Sequence, residues 1–258
     1  MAQWTAFPYP DAGYRYDPVA LRKRWPRLHA GDAEPLPDDD AVLAAWALFH
    51  AGDFERAHDA GLKAGGAGIT VANKAQAIHA NYLERSEKAK LAMFLEVGER
   101  AEAQQMAEPG NPNAWYWQAY AIGRYSQGIS VAKALAQGLG AKVRTALEAA
   151  IRLQPRHADA HVALGAFHAE VIHKIGKPLA MAQGADAAAG LRMFREGLKL
   201  NPTSAIAMVE YANGLVMLEG EKRMHDAEKL YADAAACEPL DAMERLDVEM
   251  ARAELDDD

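Results

Sequence analysis

The sequence predicts an all-α protein built as an array of antiparallel helix pairs. Alanine, the residue with the highest helix propensity, makes up about a fifth of the 258 residues. β-Branched and aromatic residues, which favour strands, are sparse by comparison. Three segments of similar sequence also close on a proline, at Pro155, Pro202 and Pro239. The composition therefore favours helices, and the repetition indicates that the helices form related units.

Length, charge and hydropathy limit the class of protein. A chain of this length buries enough surface to fold without metals or disulfides, and its one cysteine, Cys237, has no internal partner. The net charge of -8 gives no reason to expect a nucleic-acid partner. No run of roughly 18 uncharged apolar residues predicts a membrane span, and residues 1–10 do not resemble a secretory signal. We therefore expect a cytoplasmic protein.

Residues 1–38 differ from the rest of the chain because they combine prolines with aromatic side chains. Prolines at this density prevent a long helix, so we expect an extended arm with a short helix at about 18–25. A solvated tail has no reason to carry so many aromatic residues, which predicts that the arm packs on the helical body. Two alternatives remain open, namely packing on a second subunit in a homo-oligomer and occupation of the chain's own groove. The aromatic residues are Trp4, Phe7, Tyr9, Tyr14, Tyr16 and Trp25.

Residues 39–258 are predicted to form a single helical domain that ends in a capping helix. Its first five helices are expected near 39–51, 54–65, 71–83, 86–107 and 113–124. The glycine-rich stretch 64–68 lacks the Gly-Lys-Ser/Thr ending of a phosphate-binding loop, so it is interpreted as a connection between helices.

The three proline-terminated segments share one pattern of large and small residues. In each, a large residue lies three positions before a small one, which lies five positions before the proline. Small residues at a fixed phase predict close crossings between helices. Leu164-Gly165 and Tyr211-Ala212 occupy matching positions in the preceding helices. The large and small residues are Leu147 and Ala150, Phe194 and Gly197, and Tyr231 and Ala234.

This pattern resembles the two helices of a tetratricopeptide repeat (TPR). The prolines are 47 and 37 residues apart, whereas the family period is about 34, so insertions are expected between paired helices at about 126–137 and 169–186. Over 113–239 the irregular array is also similar, more weakly, to the regulator-of-microtubule-dynamics family and the T-component of TRAP transporters. The resemblance implies a TPR-like α-solenoid with irregular insertions and an N-terminal arm.

The resemblance also implies a function. TPR proteins bind a protein or peptide in a concave groove lined by the first helix of each pair, so we expect a non-enzymatic interaction module. Asn213 coincides with a position at which peptide-binding members place an asparagine. The aromatic helix at 113–124 adds side chains that are common at binding hot spots. The predicted groove residues are Trp117, Tyr120, Arg124, Val162, Ala166, Val209 and Asn213.

The insertions support an alternative function. A cavity formed by them would suit a small-molecule-binding or transport-accessory protein similar to the transporter T-component. The partner class therefore stays open between a peptide and a small molecule.

Catalytic and metal sites receive less support. Cys237 lies where repeat helices place a small packing residue, and no Gly-x-Ser-x-Gly motif occurs, so no enzymatic activity and no cofactor are expected. His157, His161 and His168 fall within about 40° on one helix face, a spacing that could hold zinc. Because His161 and His168 occupy positions at which repeats bury aromatic residues, packed histidines are favoured over a metal site.

Overall fold

The structure is a computed structural model that describes residues 4–256. Within that range it contains fourteen α-helices, two short 3-10 turns and no strand. None of these helices is both long and apolar enough to cross a membrane. The helices are α1 Pro18–Leu28, α2 Asp40–His50, α3 Phe54–Ala64, α4 Gly68–Tyr82, α5 Glu87–Ala107, α6 Pro112–Gln127, α7 Val131–Ala136, α8 Leu139–Leu153, α9 Ala158–Ile175, α10 Lys177–Ala182, α11 Ala187–Leu200, α12 Ala205–Glu219, α13 Met224–Ala235 and α14 Ala242–Asp256.

The helices pack as consecutive pairs, as the sequence predicts. The pairs are α2 with α3, α4 with α5, α6 with α8, α9 with α11, and α12 with α13, followed by α14. The short helices α7 and α10 fall between paired helices, where the proline spacing predicts insertions. The first helices of successive pairs also contact one another, which places α2, α4, α6, α9 and α12 on one face of the array.

Local capping explains why the first residues of helices can be predicted from the sequence. An N-cap side chain accepts a hydrogen bond from a backbone N–H of the first turn and so satisfies a group that the helix leaves unpaired. Because the cap and the N–H lie within three residues, no distant contact is needed to place these boundaries. The capping residues of this kind include Asp17, Asp39, Ser86, Asn111, Ser130, Asp186 and Ser204.

Glycines allow α9, α11 and α12 to cross closely around Phe194. The Phe194 side chain, on α11, is fully buried. A Cβ added at Gly165 on α9 would lie 2.9 Å from the Phe194 ring, and one added at Gly214 on α12 would lie 2.3 Å from it. Both distances are shorter than van der Waals contact, so the ring fills the space that the two glycines leave.

The N-terminal arm runs along the helical body. Its helix α1 extends to Leu28, about one turn beyond the predicted end, and passes through Pro26. The proline removes one helix hydrogen bond, and burial of Trp25 and Leu28 in the core that α2 and α4 also share offsets this loss. The boundary at residue 38 stays a prediction.

The last helix returns to the first pair and the arm. His50 Nδ1, at the end of α2, lies 2.7 Å from Asp241 Oδ2, just before α14. Arg27 of α1 forms an ion pair with Glu244 of α14 at 2.6 Å. The Tyr16 hydroxyl donates a hydrogen bond to the Leu240 carbonyl oxygen at 2.6 Å. The array therefore closes on itself, and its first-helix face becomes partly enclosed.

We predict that Gly214→Ala destabilises the protein by about 1–3 kcal/mol, because the added Cβ would overlap Phe194. This is opposite in sign to the gain of about 1 kcal/mol that helix propensity alone would give. Urea unfolding measures the difference. Gly123→Ala in α6 is the control, since no described atom beyond its own turns of helix lies within 4 Å of its added Cβ. A Gly214→Ala variant as stable as Gly123→Ala would contradict this account.

Candidate binding face

The first-helix face contains two adjoining cavities. Cavity A, of about 330 Å³, lies between α4, α6, α9 and α12, with α7 and the start of α8 at its side. Cavity B, of about 290 Å³, lies between α4, α9, α12 and α14. Both volumes are in or close to the range of small-ligand sites in proteins. The two cavities share five lining residues, which are Tyr82, Arg124, Ala166, Glu170 and Glu210.

The seven predicted groove residues all lie at these cavities. Because Arg124 and Ala166 line both, they mark the boundary between cavities A and B. The Asn213 side-chain oxygen accepts a hydrogen bond from the Tyr231 hydroxyl of α13 at 2.7 Å, so its amide is oriented by the second helix of its own pair. Cavity A is lined by Trp117, Tyr120, Arg124, Val162 and Ala166, and cavity B by Arg124, Ala166, Val209 and Asn213.

An ion pair divides the two cavities. Arg124 of α6 and Glu210 of α12 lie 3.0 Å apart, with side chains 25% and 20% exposed. The Arg124 guanidinium also lies over the Tyr120 ring, 5.3 Å from its centroid. Cation–π attraction and the ion pair together fix the arginine across the face. A ligand that spans both cavities therefore meets this pair.

Two carboxyl groups lie at the inner end of cavity A. Asp159 of α9 and Asp247 of α14 line both cavity A and a small polar cavity of about 40 Å³ behind it. The Tyr82 hydroxyl donates a hydrogen bond to Asp247 Oδ1 at 2.5 Å. Burial raises the pKa of Asp247 well above its usual range. Burial and the nearby Asp32 carboxylate raise the pKa of Asp159 to about 7.

Residues 29–34 of the arm form the floor beneath this inner end. Lys74 of α4 forms a buried ion pair with Asp32 at 2.6 Å, and His29 Nδ1 lies 2.9 Å from the other Asp32 oxygen. The Asp159 backbone N–H donates a hydrogen bond to the Gly31 carbonyl oxygen at 3.0 Å. The arm segment therefore ties α4 to α9.

The same segment is tied to α6 through Glu34. Asn113 donates its side-chain N–H to Glu34 Oε2 at 2.5 Å and accepts a hydrogen bond from His157 Nε2 at 3.0 Å. Burial and the nearby Asp32 raise the pKa of Glu34 to about 8. Burial lowers the pKa of His157 to about 4, so this imidazole is neutral at physiological pH.

The three histidines predicted to share a helix face, which are the N-cap His157 and His161 and His168 of α9, have separate partners. His157 Nδ1 accepts a hydrogen bond from the Ala160 backbone N–H, and His161 Nε2 donates one to the Pro155 carbonyl oxygen. His168 Nδ1 accepts one from the Asp186 backbone N–H. A metal would have to displace these bonds, and the described part of the chain has no group of three or more metal-ligating side chains at suitable positions.

Sequence reasoning missed several residues of this face. Asp247 lies within α14 between the buried Leu246 and Val248. A carboxylate between two apolar residues of a helix is a local sequence signal from which a buried acidic group could have been predicted. Glu210 and the arm segment 29–34 offered no comparable local signal, because the ion pairs of Glu210 and Asp32 are with residues far along the chain.

Comparison with known proteins agrees with this architecture. No protein-family model and no curated protein matches the chain. Among solved structures, it is similar to the crystal structure of a thermophilic TPR protein from Thermus thermophilus, with a TM-score of 0.58. The similarity covers 83% of this chain and 98% of the other, at 14% sequence identity. The chain has a TPR-like fold. At this identity the likeness concerns the fold alone, and α4, α6, α9 and α12 are the TPR-like first helices that line the cavities.

We predict that Glu34 makes stability fall as the pH rises above about 6.5. Its folded pKa of about 8 lies above the unfolded value of about 4.3, so its stabilising contribution is fully present below the unfolded value and is lost as pH rises through 8. Asp159 acts in the same direction. His29 and His157 have folded pKa values of about 4 and an unfolded value of about 6.5, so they act in the opposite direction near pH 6.5, where they are half protonated in the unfolded state. Above about pH 7.5 they bind few protons in either state.

Urea unfolding of wild type and Glu34→Gln at pH 6.5, 7.5 and 8.5 tests this prediction. The variant should lose less stability between pH 6.5 and 8.5, because glutamine stays neutral. Its side-chain oxygen also keeps an acceptor for Asn113. Glu148→Gln, at an exposed position on α8, should follow the wild-type profile. Parallel profiles for wild type and Glu34→Gln would contradict the assignment.

Proposed function

We propose that the protein is a non-enzymatic interaction module that receives a peptide segment of a partner protein on the face between α6, α9, α12 and α14. The observation that carries the proposal is that groove residues predicted from three separate helices line two adjoining cavities. Side chains on one extended segment would enter the two cavities, with the segment backbone near the Arg124–Glu210 pair.

The environment of the cavities fits such a ligand. Aromatic and aliphatic side chains form much of the wall of cavity A, whereas charged groups lie where the two cavities meet. Glu170 accepts hydrogen bonds from Gln127 and Lys174 there. Apolar pockets bordered by polar groups are the usual composition of a peptide-binding surface.

The state of Cys237 supports a non-enzymatic role. The thiol donates a hydrogen bond to the Asp233 carbonyl oxygen at 3.4 Å. Burial raises the pKa of this thiol, which disfavours the nucleophilic thiolate. A cytoplasmic location stays a prediction from the sequence.

A second function is favoured by one specific observation. The insertion around α7 contributes Val131, Ala134 and Leu135 to the wall of cavity A, and the extended end of α9 contributes Ile175. A small molecule held between these insertions would make the protein a binding or transport-accessory protein. Native mass spectrometry of the purified protein distinguishes the two functions, because a retained small molecule adds a defined mass.

We predict that Ala166→Phe lowers the affinity for peptide ligands at least tenfold, because a phenyl ring on α9 would fill the boundary between both cavities. The ligands are peptides selected against the wild-type protein from a random display library, with affinity measured by fluorescence anisotropy. Ala188→Phe, at an exposed position on α11, is the matched control and should bind normally. Unchanged binding by Ala166→Phe would place the peptide elsewhere, and a library without binders would overturn the proposed function.

A further inference from the structure

The inner end of cavity A has a carboxylate without a partner among the described residues. The structure shows no hydrogen bond or ion pair from the Asp159 carboxylate to any residue in 4–256, although this group borders two cavities. It lies against the backbone of Gly31, where an added Cβ would come within 2.4 Å of Asp159 Oδ1. The arm segment therefore holds the carboxylate in place without neutralising it.

The basic side chains nearby are already engaged. Lys74 is paired with Asp32 at 2.6 Å, and Arg27 with Glu244 at 2.6 Å. Across the cavity, Arg124 is paired with Glu210 and Lys174 with Glu170. In the described part of the chain, Asp159 and Asp247 are thus left without a basic partner. When Asp159 is ionised, its negative charge in a partly buried cavity favours a cationic ligand.

The walls of the cavity suit a cation that carries an apolar chain. Tyr116, Trp117 and Tyr120 of α6 and Ile78 of α4 line the same cavity as Asp159. Aromatic rings attract ammonium groups through their faces and also pack against methylene groups. The charge and the walls therefore select the same class of ligand.

We propose that the inner end of cavity A binds the ammonium group of an aliphatic amine, with Asp159 as its counter-ion and the α6 aromatic residues against its alkyl chain. This inference rests on the proposed function and gives the chemistry of the ligand. A lysine side chain of a partner peptide and a free diamine both present this group, and the experiment separates the two sources.

The first test is calorimetric titration of the full chain with three probes of equal chain length, which are 1,5-diaminopentane, pentanol and pentanoate. The diamine should bind at least tenfold more tightly than pentanol, and pentanoate should give no binding heat. Equal affinities for the diamine and pentanol would overturn the proposal, because they would show that the cavity selects only the apolar chain.

The second test uses Asp159→Asn, which should weaken diamine binding at least tenfold. Asparagine is close in shape to the protonated aspartic acid, so the fold should be retained, as checked by circular dichroism. Asp233→Asn, at an exposed position on α13, is the matched control and should bind like wild type. Unchanged binding by a folded Asp159→Asn variant would overturn the proposal. If that variant does not fold, the proposal is tested by the comparison of the three probes and by the pH profile of diamine binding, both measured on the wild type.

The pH profile has a defined direction. With a pKa of about 7, Asp159 is about one-tenth ionised at pH 6 and about nine-tenths at pH 8, whereas the amine stays protonated. Diamine affinity should therefore rise about tenfold from pH 6 to pH 8, and a flat or falling profile would contradict the proposal. Glu34 also titrates in this range, so the measurement is repeated in Glu34→Gln. The other titratable groups around Asp159 are Asp32, Lys74, Tyr116, Asp241, Glu244 and Asp247.

The peptide experiment separates this inference from the proposed function. Selected peptides that bind at the Ala166 boundary and require a lysine support both. Peptides that bind there without any basic residue leave the proposed function in place and overturn the amine site. Diamine binding in a protein for which no peptide is selected supports the amine site, identifies a free amine as the source, and overturns the peptide-binding function.

Discussion

The buried ion pair between Lys74 and Asp32 is the contact on which the arrangement of the first-helix face depends. Its two side chains are 4% and 1% exposed. Removing two charges from water is costly, and breaking such a pair leaves an uncompensated buried charge at a cost of about 3–5 kcal/mol. The pair is therefore formed only when the arm segment lies against α4. Through Gly31 and Glu34 the same segment also holds α9 and α6.

This contact explains why a TPR-like array can have an enclosed face rather than an open groove. The arm segment contacts α4 at Lys74, α6 at Asn113 and α9 at Asp159. Glu244 of α14 and the preceding Asp241 contact α1 and α2. What remains open is the space between α6, α9, α12 and α14, which contains the two cavities. The geometry of the candidate site is thus set by a segment outside the repeats.

The parts of the fold that could be predicted from the sequence are those set by short-range chemistry. Capping residues, closing prolines and small residues at a fixed spacing act within a helix or between neighbours, so the helix pairs, the insertions and the crossing at Gly165 follow from local pattern. The ion pairs of Asp32 with Lys74 and of Glu210 with Arg124 join residues more than 40 positions apart, and nothing in their local sequence specifies the partner.

The same distinction applies within the candidate site. Val162 and Ala166 were predicted because the resemblance to TPR helices implies which positions face the groove, and Trp117 because aromatic side chains are common at binding hot spots. Asp159 lies on the same helix as Val162, but its chemistry depends on groups from other elements: Asp32 raises its pKa, and the nearby Lys74 and Arg27 are already paired. The repeat pattern and the aromatic composition therefore predict which residues line a cavity of this kind. The charge that the cavity offers to a ligand is a property of the closed array, because it depends on how the arm and α14 pair the surrounding basic side chains.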